Sequence, residues 1–236
     1  MNLRRTLRRW HIWLGWLIGV PMLLWTLSGV IMVIRPIEEV RGTALLRDPP
    51  PIVLPAVPVA PNLDGLKVAK VAIEPRTAGP RWIITTADGK SRQADPATGS
   101  LLPLLGAADA AREVEARYTG KATIVSIRRV DSANPPLELR RAMDGWMVAM
   151  SEGTHFFIDS GSGDIVARRT RFWRFYDVMW GLHIMDLQTR EDTHHPWIVV
   201  FGALALVSTL MAIVMLPLTG KRKKRRSGRP EPAGEA

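Results

Sequence analysis

Cysteine is absent from the chain. Disulfides, thiolate metal sites and cysteine nucleophiles are excluded with it. Tyrosine is scarce, two residues against nine tryptophans. Acidic residues are missing from long stretches, with none before Glu38 and none between Asp192 and Glu231. There is no nucleophile elbow, no His-Glu-x-x-His, no phosphate-binding loop and no dinucleotide fingerprint. The Gly-x-Gly at Gly161–Gly163 falls in a turn instead.

The charge that is present is unevenly placed. The 236 residues carry a formal +10. Residues 1–10 hold four Arg and no acid; residues 221–236 hold seven Lys or Arg and two Glu; residues 11–220 hold 21 bases against 20 acids. The excess lies in two short tails, which argues against a basic groove on a folded surface and against nucleic acid as a partner.

Between the tails are two runs without charge. From His11 to Ile34 no Asp, Glu, Lys or Arg occurs over 24 residues, and from Trp197 to Leu218 no ionisable group occurs over 22. A helix of 24 residues reaches roughly 36 Å, enough to cross a hydrocarbon core of about 30 Å. The first run is too long for a signal-peptide core and no Ala-x-Ala site follows it, so an uncleaved anchor is expected. Lys and Arg on the terminal side of both runs place both tails in the cytoplasm by the positive-inside rule, and residues 35–196 across the membrane. Trp10, Trp13 and Trp16 then mark one interface, and Trp173, Trp180 and Trp197 the other. Lys221–Arg226 reads as a topology signal that also touches anionic lipid.

Residues 48–61 contain six prolines, which reads as an extended spacer within a linker over 35–61. Beyond it an internal repeat appears. At an offset of 64, Trp82–Gly89 aligns with Trp146–Gly153, Asp95–Gly99 with Asp159–Gly163, and Leu101-Leu102 with Ile165-Val166. Each copy reads as a strand, a turn, a second strand, and an Asp-x-x-Thr/Ser-Gly turn in which Asp bonds forward and Gly supplies positive φ. Asp159–Asp164 is not a calcium loop, because no Glu stands at its twelfth position. The spacing of Leu63, Leu66, Lys70 and Ile73 predicts a short helix capped by Asn62. Ala107–Tyr118 predicts a second helix and Thr123–Val130 a strand. The expected fold class is α+β: two helix-plus-antiparallel-hairpin repeats over 62–169, carried by two transmembrane helices. A segment over 170–196 contains a helix with Phe172, Phe175, Met179, Leu182 and His183 on one face, suited to a membrane surface.

At this point the chain resembles a known family. The helix Ala107–Tyr118, the strand Thr123–Val130 and the hairpin Phe156–Gly163 look like a PepSY domain. Arg9-Trp10-His11-Ile12-Trp13-Leu14-Gly15, Leu27-Ser28-Gly29 and Leu182-His183 look like the PepSY-associated transmembrane family. The resemblance covers the chain up to its basic tail, over 219–236. It implies an inner-membrane protein with an extracytoplasmic PepSY domain, related to iron-regulated membrane proteins and siderophore-iron reductases. It also implies haem b as a cofactor.

Five histidines bear on that chemistry, four of them near an expected membrane edge. Haem ligation needs imidazole in an apolar pocket, and the resemblance favours His11 and His183. His194 and His195, before the second run, are further candidates. His155 reads as a strand-face residue. Glu191-Asp192-Thr193-His194-His195 could hold a divalent metal, or be a solvated loop. His11 and His195 stand at opposite faces of a bilayer, so a haem would be shared between two copies of the chain or paired locally, as His183 with His194 or His195. Two functions stay open. One is a haem-binding electron-transfer component of a ferric reductase-like system, with a homodimer or a separate redox subunit as partner. The other is a non-enzymatic, membrane-anchored module that binds a periplasmic protein and modulates it.

Overall fold

The structure is a computed structural model that describes residues 3–54 and 56–219. The basic tail 220–236 lies outside the described residues. The chain divides into two compact units, one of residues 1–34 and 177–236, the other of residues 35–176.

The first unit is built on two long helices, α1 (Leu3–Val33) and α5 (Pro196–Thr219). Both are long and apolar enough to cross a membrane. Pro196 occupies the first position of α5, where its missing N–H costs no hydrogen bond. The helices are antiparallel: His11 meets Ser208 and Trp25 meets Phe201. Most side chains on them are exposed. Among the described residues of α1 and α5, only Ile18, Ser28, Phe201 and Ser208 are buried.

The second unit contains two antiparallel sheets. The first has strands β1 (Val68–Glu74), β2 (Arg81–Thr86) and β3 (Ser91–Ala94), in that order. The second has β4 (Ile124–Val130), β5 (Gly145–Met150), β6 (His155–Asp159) and β7 (Ile165–Arg169), in that order. The repeat holds down to single hydrogen bonds. Trp82 pairs with Ala94 and Trp146 with Ile158, so the register is the same at an offset of 64. Gly89, Gly99, Gly153 and Gly163 all have φ between 70° and 90°. Gly99 N–H donates to Asp95 O at 2.7 Å, and Gly163 N–H to Asp159 O at 2.8 Å. Even the bulge recurs, at Val68/Lys70 in one sheet and Ile124/Ser126 in the other.

The copies differ in cover. Helix α3 (Ala107–Arg117) packs only against the second sheet among the strands it touches, on β4 and β5. Ala110 and Val114 meet Val148, Met150, Phe156 and Ile158 there. The opposite face of that sheet is covered as well. Leu139 and Met143, in the 131–144 connection, meet Phe157, Val130 and Ala167. Buried on both faces, β6 therefore reads Phe-Phe-Ile without alternation. In the first copy the matching positions are Arg92, Gln93 and Ala94.

Two expectations change. The helix over 63–73 does not form, and Val68–Glu74 is strand β1 instead. Asn62 caps no helix; its side chain accepts the Asp64 N–H at 2.8 Å and turns the chain into that strand. The first hairpin therefore has no helix of its own before it, whereas the second follows α3. The second change concerns 35–61, which is not wholly a spacer. Helix α2 (Ile37–Arg41) buries Val40, and Leu45 and Leu46 pack against the α3 core. Leu46 pairs with Tyr118 in a bridge. Val59 N–H donates to Pro96 O and Asn62 N–H to Gly99 O, which ties the end of the proline stretch to the first copy.

Candidate functional site: two histidines on buried serines

Burying a hydroxyl between apolar helices is unfavourable unless it finds a partner. Two of the four buried residues on α1 and α5 are serines, and each faces a histidine. Ser28 is fully buried. Its hydroxyl donates to Trp25 O at 2.9 Å and lies 3.1 Å from Nδ1 of His183. Ser208 lies 3.3 Å from Nδ1 of His11. His11 and Ser28 are 17 residues apart on one helix, so the two contacts are roughly 25 Å apart along the axis.

His183 closes helix α4 (Arg171–His183), whose first turns belong to the second unit and whose last belong to the first. Nδ1 of His183 lies 3.1 Å from Trp25 O. A carbonyl can only accept, so this contact is a hydrogen bond in the Nδ1–H tautomer, which leaves Nε2 free to accept. The ring stacks on Trp25, with centroids 4.7 Å apart and planes 16° from parallel. Gly29 makes room for it: a Cβ there would stand 3.1 Å from His183 Cε1. Ser28 and Gly29 of α1 and His183 of α4, distant in sequence, thus meet in one contact. Trp25 also leans on Phe201 of α5 at 6.3 Å.

The segment after His183 is held by a carboxylate. Asp186 is buried and accepts the backbone N–H groups of Gln188, Thr189, Glu191 and Asp192 and the Thr189 hydroxyl. The hydroxyl first, and then these N–H groups, hold its carboxyl well below the usual carboxylate range. Buried Asp177 accepts from Arg190 at 2.7 Å, and Trp180 Nε1 donates to Arg190 O at 3.0 Å. Gly181 lies against this loop, where a Cβ would stand 2.8 Å from Asp186 O. The end of α4, and with it His183, is fixed from behind.

The remaining histidines stand elsewhere. His194 is exposed, with Nδ1 3.3 Å from the Thr193 hydroxyl and its N–H on Asp192. His195 is half-buried, and its Nδ1 is a buried nitrogen with no hydrogen-bond partner. His155 bonds Glu138 at 2.7 Å within the second unit. Around Glu191–His195, Asp192 is spent on backbone capping. Among the described residues no group of three or more His, Asp or Glu lies together to hold a metal ion. Trp173, expected at a membrane interface, carries the guanidiniums of Arg169 at 4.1 Å and Arg140 at 5.7 Å.

Sequence reasoning singled out His11, His183 and Leu27-Ser28-Gly29 but not their pairing. The available signal was a serine inside each uncharged run, at Ser28 and Ser208. No family model, curated protein or solved structure matches this chain.

Proposed function

We propose that the chain is a two-span membrane protein of the PepSY-associated kind, which carries its PepSY-like unit outside the cytoplasm and uses the histidines of its spans to hold haem b for electron transfer. The observation that supports this reading is the setting of His183. A metal-ligating histidine donates its second ring N–H to a carbonyl or carboxylate, which fixes the tautomer and the ring. His183 has such a partner in Trp25 O, with Ser28 beside it, which leaves Nε2 as the ligating nitrogen. The donor chemistry therefore fits an axial ligand. His11 on Ser208 fits less fully, because a hydroxyl can donate or accept and does not fix the tautomer. The orphaned Nδ1 of His195 makes it a further candidate, ahead of exposed His194.

Bound haem supplies one-electron chemistry. The chain's own part is to orient the imidazole through Trp25 and Ser28 and to keep water away with the Trp25 ring. A separation of roughly 25 Å between the two serine contacts means that His11 and His183 of one chain serve different groups. A second ligand would come from a second copy, from another subunit or, beside His183, from His195 or His194 of the same chain. No flavin or nicotinamide fingerprint occurs, so electrons reach the spans from another protein. The test is an absorbance spectrum of the detergent-purified chain supplied with haem. A Soret band that His183→Ala abolishes is the expected result; its absence from the unaltered chain would sink the reading.

A second reading has an observation of its own. Stacking on Trp25 and bonding to Ser28 already give His183 a role as a tie between α4 and α1, with no ligand needed. The spans are then anchors, and the outer unit meets a protein partner. This reading is favoured if haem is absent and His183→Ala changes only stability.

A further inference from the structure

The cationic start of α1 has no counter-charge of its own. Residues 1–37 contain no acid, and neither does α5. Arg5 and Arg9 stand one turn apart, both exposed, and neither has an ion-pair or hydrogen-bond partner among the described residues. They open a shallow groove along one face of α1, about 780 Å³ of mostly open space, whose lining continues through Thr6, Trp10, Trp13, Leu14 and Leu17. Along the helix the chemistry changes in order, from guanidinium and hydroxyl, to indole, to aliphatic. From residue 5 to residue 17 this gradient spans roughly 18 Å.

A phospholipid presents the same order: phosphate, ester-bearing interface, acyl chain. Arginine matches phosphate oxygens with its planar fork, and indoles settle at headgroup depth with one edge polar and the body apolar. Free phosphate would engage the arginines alone, whereas a phospholipid also covers Trp10 and Trp13, 62% and 66% exposed. We propose that this groove seats one anionic phospholipid, its phosphodiester between Arg5 and Arg9 and an acyl chain along Trp13 and Leu17. The inference rests on the reading of α1 as a membrane span, and it is independent of haem.

The test uses the full-length chain purified in neutral detergent, titrated with phosphatidylglycerol or with phosphatidylcholine, with bound lipid counted by native mass spectrometry. One phosphatidylglycerol is retained in preference to phosphatidylcholine. The double variant Arg5→Gln/Arg9→Gln lowers that preference on the order of tenfold. The double variant Arg4→Gln/Arg8→Gln removes the same charge from positions turned about 100° around the helix, and it keeps most of the preference. Equal loss in both doubles shows a diffuse charge effect and overturns the site. So does an unaltered chain with no preference for the anionic lipid. Excess inorganic phosphate leaves the lipid in place; displacement by phosphate overturns the lipid assignment in favour of a simple anion site. Recovery of the chain in the soluble fraction after alkaline carbonate extraction is the separate result that removes the membrane reading itself.

Discussion

Trp82 and Trp146 make the same hydrogen bond. Nε1 of Trp82 donates to Val59 O at 2.8 Å, and Nε1 of Trp146 to Leu105 O at 2.7 Å. The acceptors are equivalent as well: Val59 N–H donates to Pro96 O and Leu105 N–H to Ser160 O, and 96 and 160 differ by 64. Each hairpin therefore holds an extended segment at two points, one on the indole and one on the turn. Phenylalanine at either tryptophan removes the donor and leaves a carbonyl behind. Val59 lies at the surface, where water replaces the lost bond, so Trp82→Phe costs less than about 1 kcal/mol. The Leu105 bond is partly buried, and Trp146→Phe costs about 1–3 kcal/mol. Denaturant unfolding of the two variants measures the difference, and the opposite order counts against equivalent clamps in unequal surroundings.

Phe156 and Phe157 are consecutive, both fully buried, and belong to cores on opposite faces of one sheet. Truncating either to alanine opens a cavity, and each costs about 3–5 kcal/mol. A cost near zero for Phe157→Ala, measured by the same unfolding transition, means that Leu139 and Met143 do not cover that face.

Two glycines of the first unit make a sharper pair. A Cβ at Gly181 meets Asp186 O and Arg190 Cγ at 2.8 Å, whereas a Cβ at Gly15 meets nothing within 4 Å. The backbone oxygen cannot swing aside, so Gly181→Ala destabilises by about 1–3 kcal/mol. Gly15→Ala is neutral or gains up to about 1 kcal/mol from helix propensity. Melting temperatures of the detergent-solubilised variants read both effects, and a harmless Gly181→Ala shows that the loop behind His183 is not packed as described.

The carboxylate of Asp186 gives a pH dependence with a definite sign. Its folded pKa lies below the unfolded value, so the unfolded chain takes up the proton first. The stabilisation is fully present above the unfolded value of about 4, and it is lost as pH falls toward the folded pKa. Asp186→Asn removes this component and flattens the acid limb. Trp180 bonds the same loop through Arg190 O, so tryptophan fluorescence during acid titration reports it. An unchanged acid limb in the asparagine variant means that other carboxylates govern the transition.

Much of this was legible in the sequence, for identifiable reasons. The two long helices follow from uncharged runs whose length is fixed by composition alone. The repeat survived as Trp, Gly and Asp-x-x-x-Gly because those residues serve the clamp and the positive-φ turns. Helix α3 showed a stripe through Ala111, Val114 and Tyr118 in the sequence, and the structure buries Val114 with Ala110 in place of Ala111. Strand β1 showed no such pattern, because Val68–Glu74 is half-buried along most of its length and shows neither a clean two-residue nor a clean helical period. The 131–144 connection, with no regular element, gave no sign that it would roof a sheet. The pairing of His183 with Ser28 was out of reach for a different reason. The two residues are 155 positions apart, and only tertiary packing decides which serine a histidine meets.

The duplication gives this molecule an internal reference. Positions from 82 to 102 have twins 64 residues on that share turn types and much of the pairing, yet Val148, Met150, Phe156 and Ile158 pack under α3 while the matching face of the first sheet carries Ile84, Thr86, Arg92 and Ala94. Making the same substitution at both twins largely cancels the intrinsic preference of the new side chain for that backbone. What remains is the effect of neighbours alone. Two variants of the same chain, measured under the same conditions, then separate conformational propensity from packing.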